Sequence, residues 1–249
     1  MKPWLCFLLL VLICSSCSNN KKAPPQPNDF SFSPNKIWAH RVNTFEELEK
    51  KHALFDGLEI DLLYSKAIRN FYVAHDPIDT LRNVTLTEWL EKNPNPEKNW
   101  YWLDMKNLNK KNAKEIAATL VDILNRYGIF YKTICENSNV KALYVLKKEG
   151  LAVSYLIKRT DQYNLINRLV QHAGWKMIIK RNINYLKPDA LSCTYSIHPL
   201  FDSSFPEENI LYWHTFVDNT PENLAFTKKM SELPNVKVIL VSYETPNLE

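Results

Sequence analysis

Apolar, strand-like runs alternate with amphipathic helical segments along most of this chain, and that alternation restricts its fold more than any other feature. The strand-like runs are Lys36–Ala39, Gly57–Leu63, Phe71–Ala74, Trp100–Met105, Lys132–Cys135, Leu151–Ile157, Ala190–Thr194, Ile210–Thr215 and Val236–Ser242. Helices are predicted over Phe45–Ala53, Leu86–Lys92, Lys111–Tyr127, Val140–Lys148, Gln162–Ala173 and Pro221–Ser231. Thr44-x-x-Glu47 and Thr85-x-x-Glu88 have the form of capping boxes, in which the side chains satisfy backbone N–H groups at a helix start. Ile116, Leu120, Ile123 and Leu124 share one face of the third helix, and Gly128 follows its end. Strands separated by helices imply a parallel sheet, and eight such units close into a (β/α)8 TIM barrel of the α/β class, for which 249 residues is an ordinary length. There are more strand candidates than barrel places, and Tyr64–Asn70 is too short for a crossover helix. A slightly irregular barrel is therefore expected, with no helix between its second and third strands and no cap domain. An open doubly wound sheet is the structural alternative.

Four polar clusters stand at the downstream ends of early apolar runs: His40-Arg41, Glu59-Ile60-Asp61, His75-Asp76 and Asp104-Met105-Lys106. Burying such groups costs stability unless they are used, and barrel strand ends converge on the rim where active sites form. Alternation along a strand puts Glu59 and Asp61 on one face, about 7 Å apart at the backbone, so both carboxylates can grip one cation while Leu58, Ile60 and Leu62 face the helical shell. Asp104 can complete that metal site, and hard oxygen ligands favour Mg²⁺ or Ca²⁺ over zinc. Arg41 and Lys106 offer phosphate binding, the former with bidentate geometry. His40 and His75 form an acid–base pair able to titrate near neutrality, and Asp76 is placed to orient His75. Together these residues are equipped for metal-assisted phosphodiester chemistry. A zinc amidohydrolase would want His-x-His on one strand, but Arg41 and Val42 follow His40, and no Gly-x-Ser-x-Gly nucleophile elbow occurs. His52, His172 and His198 read as surface residues, His214 as a late strand-end residue, and Trp38, Trp100, Trp102 and Trp213 as mostly core, with Trp213 able to wall a pocket.

The net charge of +4 is modest and its lysine pairs are dispersed, which argues against nucleic-acid binding. With only four glycines the chain has no glycine-rich phosphate cradle. Lys2, the apolar Leu5–Ile13 and the small residues of Cys14-Ser15-Ser16-Cys17 predict a signal peptide over residues 1–17. Ser15-Ser16-Cys17 resembles a bacterial lipobox, with Cys14 where leucine is usual, so Cys17 is the expected lipidation site. The polar, proline-rich residues 18–36 are expected to be a flexible tether, and 37–249 the catalytic barrel. This predicts a lipid-anchored protein of the bacterial cell envelope. Cys135 and Cys193 can pair in an oxidising compartment or remain buried thiols.

The four clusters resemble the glycerophosphodiester phosphodiesterase family, within the phosphatidylinositol phospholipase C-like barrel superfamily. Its motifs are His-Arg on the first strand, Glu-x-Asp on the second, His-Asp on the third and an acid-x-Lys on the fourth. The resemblance is dense over residues 37–107 and thinner later, where YWHTFVDN and VKVILVSYETP match only loosely. Val42 stands where that family has glycine, Asp104 where glutamate is common, and the insertion after the third strand is missing. WAHRVNT, VAHDP, TLTEWL and LDMKN are also similar to the menorin family of the same superfamily. The resemblance implies hydrolysis of glycerophosphodiesters or related lipid-derived phosphodiesters, with His40 and His75 as catalytic acid and base and Mg²⁺ or Ca²⁺ as cofactor. The alternatives are a phospholipase or sphingomyelinase D-like lyase using the same residues, and a non-catalytic binding lipoprotein.

Overall fold

The computed structural model describes residues 30–158, 165–198, 203–213 and 220–243. Its sheet has nine strands: β1 (Ile37–Ala39), β2 (Gly57–Ser65), β3 (Asn70–Val73), β4 (Trp100–Met105), β5 (Thr133–Asn137), β6 (Ala152–Leu156), β7 (Ala190–Thr194), β8 (Ile210–Trp213) and β9 (Val236–Val241). Eight of them run parallel in the order β1-β2-β4-β5-β6-β7-β8-β9, and the β9–β1 pairing closes the barrel. The closed barrel excludes the open doubly wound sheet. β3 is the surplus strand: among the described strands it pairs with β2, antiparallel, as the returning arm of a hairpin outside the ring. That is why the link between the second and third strands needs no helix.

The helices are α1 (Phe45–Lys51), α2 (Leu86–Lys92), α3 (Ala113–Arg126), α4 (Val140–Lys148), α5 (Leu165–Leu186) and α6 (Pro221–Ser231). Thr85 and Glu88 form the complete capping box at α2. At α1, Thr44 accepts from the Glu47 N–H, but Glu47 is engaged with Lys51 one turn on. Thr220 caps α6, its side chain accepting from the Asn223 N–H. α5 runs well past the expected end at Ala173 because Gly174 does not break it. The helix stops where Lys187 turns left-handed (φ 47°) immediately before Pro188, since the residue before a proline is pushed out of the helical region.

Two apolar clusters follow from strand alternation. Leu58, Ile60 and Leu62 of β2 pack outward with Leu120 and Leu124 of α3 and Leu143 and Leu146 of α4. Trp38, Trp102, Ile134, Ala152, Ala190, Leu211, Val238 and Leu240 fill the barrel interior. Residues 30–36, expected as the end of a tether, instead lie against the bottom of the barrel. Phe30 and Phe32 pack on the interior cluster, and the Trp100 indole donates to the Ser31 carbonyl (2.8 Å). Those aromatic rings gain more from packing than from hydration. Cys135 and Cys193 are buried free thiols, not a disulfide. Among the described residues, no helix is long and apolar enough to cross a membrane.

Candidate active site

The carboxyl-terminal ends of the strands surround a cavity of about 470 Å³, lined by His40, Arg41, Glu59, Asp61, His75, Asp104 and Lys106, with Glu136, Trp102, Leu156, Trp213, Leu240 and Ser242 completing the wall. Each candidate residue from the four sequence clusters except Asp76 therefore lines one space. Asp76 stands behind His75, its Oδ2 2.9 Å from His75 Nδ1. His75 arrives by a route the sequence does not show. It follows β3, which is not a barrel strand, and the hairpin folds the chain back until the Ala74 N–H donates to the Asp61 carbonyl (3.0 Å).

The segment after β1 is held against β2 at successive points. The Arg41 N–H donates to Glu59 Oε2 (2.7 Å), and the Val42 N–H to the Glu59 carbonyl (2.9 Å). Arg41 itself adopts a left-handed conformation (φ 52°), unfavourable for a residue with a Cβ and retained here at the site. Val42, at the position where a glycine was expected, is fully buried in the outer core, and its carbonyl accepts from the Trp89 indole (3.0 Å). Asn43, which sequence reasoning passed over, brackets Asp61: its amide donates to Asp61 Oδ2, and its Oδ1 accepts the Asp61 N–H (2.9 Å). The signal was available, because Asn43 lies three residues beyond His40 in the same loop.

Glu59, Asp61 and Asp104 each present an oxygen within 4.8 Å of the others. Glu59 and Asp61 are almost wholly buried. Burial, and then the charges of Asp61 and Asp104, push the Glu59 carboxyl well above its ordinary range. Burial likewise raises Asp104, partly offset by Lys106. Lys106 donates to both Asp61 Oδ1 (2.7 Å) and Asp104 Oδ2 (2.5 Å). Burial works to lower its pKa, but those two carboxylates outweigh it and keep the ammonium charged. One lysine thus pairs with two of the three crowded carboxylates. Oxygen spacings of this size match the 2.0–2.6 Å bonds of Mg²⁺ or Ca²⁺, roughly. The donor set fits a hard divalent cation.

The histidines differ. His40 is held to about 4, by burial first and the adjacent Arg41 charge second, so its imidazole is neutral at physiological pH. Its Nε2 lies 3.8 Å from Glu59 Oε2, and its Nδ1 lies 3.3 Å from Ser242 Oγ on the opposite side. His75 is more exposed, and the hydrogen bond from its ring lowers the Asp76 pKa. His198 pairs with the Tyr212 hydroxyl (2.7 Å) away from the cavity, and His214 lies outside the described residues.

No protein-family profile matches the sequence, and no curated protein matches it. Solved structures do match. A glycerophosphodiester phosphodiesterase from Parabacteroides distasonis aligns at 16% identity and a TM-score of 0.59, covering 84% of this chain and 93% of its own. A phosphodiesterase from Oleispira antarctica, solved with the product sn-glycerol-3-phosphate, aligns at 15% and 0.58 over 84% and 93%. Another glycerophosphodiester phosphodiesterase, from Agrobacterium tumefaciens, aligns at 14% and 0.54 over 86% and 98%. The chain has their fold. The shared barrel is the one expected from the strand and helix pattern, and in this chain it gathers the four polar clusters at one rim.

Proposed function

We propose that the protein is a metal-dependent phosphodiester hydrolase acting on glycerophosphodiesters or related lipid-derived phosphodiesters. The observation that carries this reading is the convergence of two histidines, two cations and a three-carboxylate cluster on one cavity of a barrel with this fold. Glu59, Asp61 and Asp104 would hold Mg²⁺ or Ca²⁺, which when bound supplies Lewis-acid polarisation of a phosphoryl oxygen and relieves the carboxylate crowding. Arg41 and Lys106 bind the remaining phosphate oxygens and stabilise the charge that grows on them. His40, neutral within its buried setting, takes the proton of the attacking water. His75 gives a proton from Nε2 to the leaving alcohol, with Asp76 accepting from Nδ1 and fixing the ring. The products are an alcohol and a phosphate monoester.

The proposed setting is the bacterial cell envelope, with Cys17 as lipidation site and the residues after it as a membrane tether. Support comes from the apolar Leu5–Ile13 and the small residues before Cys17. The decisive assay is turnover of a glycerophosphodiester panel by the purified protein with Mg²⁺ or Ca²⁺, with products followed by phosphorus NMR. A monoester product supports hydrolysis, and a cyclic phosphate would assign the lyase. Full activity in His40→Ala or Glu59→Ala would sink the mechanism.

A further inference from the structure

A surface helix is ordinarily apolar on the face it buries and polar on the face it shows to water. The second half of α5 departs from that. Ile179 and Leu186 are buried, and Ile183 packs on the same outer core, which accounts for one face. On the other, Met177 is 68% exposed, Ile178 48% and Tyr185 50%. At about 100° of turn per residue these three fall within one arc, and Arg181 lies among them. The Tyr185 ring meets that of Tyr144 on α4 at 4.9 Å, and Lys148 Nζ stands 4.8 Å from the centre of the Tyr144 ring. The patch therefore runs onto the neighbouring helix and ends on a second cation.

The charge of α5 has one sign. Between Asp161 and Asp189 the sequence carries Arg168, Lys176, Lys180, Arg181 and Lys187 and no Asp or Glu. Lys180 borders Glu207 and Glu208 in a hollow on the other flank of the helix. Near the patch itself the acids are Glu149, next to Lys148 in the chain, and Asp189, which pairs with Lys147 (2.9 Å). A second copy of the chain would set these cations against their own kind in a two-fold contact, with no carboxylate on the helix to answer them. An anionic lipid surface answers both halves of the patch, because apolar and aromatic side chains enter the headgroup boundary while cations meet its charge. The course of the chain agrees. α5 descends from the rim to the start of β7, so Tyr185 lies toward the bottom of the barrel. Residues 30–36 bring the amino-terminal part of the chain to that same end. We propose that the lower outer face of α5, together with Tyr144 and Lys148 of α4, docks on an anionic lipid surface and leaves the cavity rim facing water. This does not depend on the phosphodiesterase reading.

The test places a polarity-sensitive fluorophore on the full chain, either at Ile178→Cys or, as the opposing arm, at Leu81→Cys. Leu81 is 75% exposed on the turn Pro77–Arg82 that follows His75 at the rim. Cys6, Cys14 and Cys17 are replaced by serine, and the buried thiols Cys135 and Cys193 stay unlabelled. The vesicles are phosphatidylcholine alone, or equal parts of phosphatidylcholine and phosphatidylglycerol. The apolar Leu5–Ile13 can hold the chain on either vesicle, so the readout is the surroundings of the probe rather than binding. The probe at 178 should shift to the blue on the anionic vesicles alone, and high salt should reverse the shift. The probe at 81 should not respond. Adding Arg181→Gln and Lys148→Gln should raise the lipid needed for half the shift by about tenfold or more, at roughly fivefold per cation, with the far-UV spectrum unchanged. No shift at 178, an equal shift on neutral vesicles, or a shift at 81 in place of 178 would overturn the proposal. So would a dimer in solution that Met177→Glu dissociates, which would give this face to a second copy of the chain.

Discussion

Acidification should weaken this protein through His40 in a way that one substitution reveals. Its pKa falls from 6.5 to about 4 on folding, because burial and the Arg41 charge oppose the imidazolium. The unfolded chain therefore binds the proton more readily between those values, and stability is lost as pH falls from above 6.5 toward 4. For a group with these two pKa values, linkage gives a loss of about 2 kcal/mol between pH 7 and pH 5, at 1.36 kcal/mol per unit. In a domain of this size that is ~4–8 °C in Tm. The buried acids Glu59, Asp104 and Glu136 act in the opposite sense, because their raised pKa values let the folded state take up protons as pH falls. The total curve therefore mixes signs, and the measurement has to be a difference. Urea unfolding of the native protein and of His40→Asn, at pH 7 and pH 5 with a chelator present, isolates the histidine. The native protein should lose about 2 kcal/mol relative to the variant over that interval. A difference unchanged within about 0.5 kcal/mol would mean that His40 titrates normally, and the assignment of a neutral base would fall with it.

Three further outcomes follow from the packing. Mg²⁺ or Ca²⁺ at about 100 times its Kd should add ~2.7 kcal/mol of stability; in Glu59→Gln the metal-free protein should melt higher, because a crowded acid is gone, and thermal scans should show no metal response. Asn43→Ala removes both hydrogen bonds between Asn43 and Asp61, so calorimetric metal affinity should fall about tenfold to a hundredfold while the far-UV spectrum is unchanged. Gly57→Ala would place a Cβ 1.9 Å from the fully buried Trp38 ring. Overpacking of that kind costs about 1–3 kcal/mol, so a clear loss of Tm is expected, and a neutral result would contradict the packing of the barrel floor.

Local patterns carried much of the fold because they depend on short-range physics. α2, α4 and α6 occupy the residues predicted for them, since caps and apolar spacing act within a few turns. α5 did not end where expected, because a glycine inside a helix weakens it without stopping it and the true stop is the residue before Pro188. The motif residues of the site were readable as clusters on strand ends. Asn43, Ser242 and Glu136 were not. Each is an unremarkable polar residue in sequence, and only pairing across distant segments brings it to the site.

The sequence by itself determined the alternation of strand and helix, the shared face of Glu59 and Asp61, and the set of groups at the strand ends, because a period of two or 3.6 residues is a local property of the backbone. Tertiary structure alone decided that β9 meets β1 to close the ring, that β3 leaves it as a hairpin arm returning His75 to the rim, and that Lys106 neutralises two carboxylates at once. Those are long-range contacts whose energies depend on burial and on charges from other strands. The same burial holds His40 neutral and raises the pKa of Glu136, which lines the same cavity.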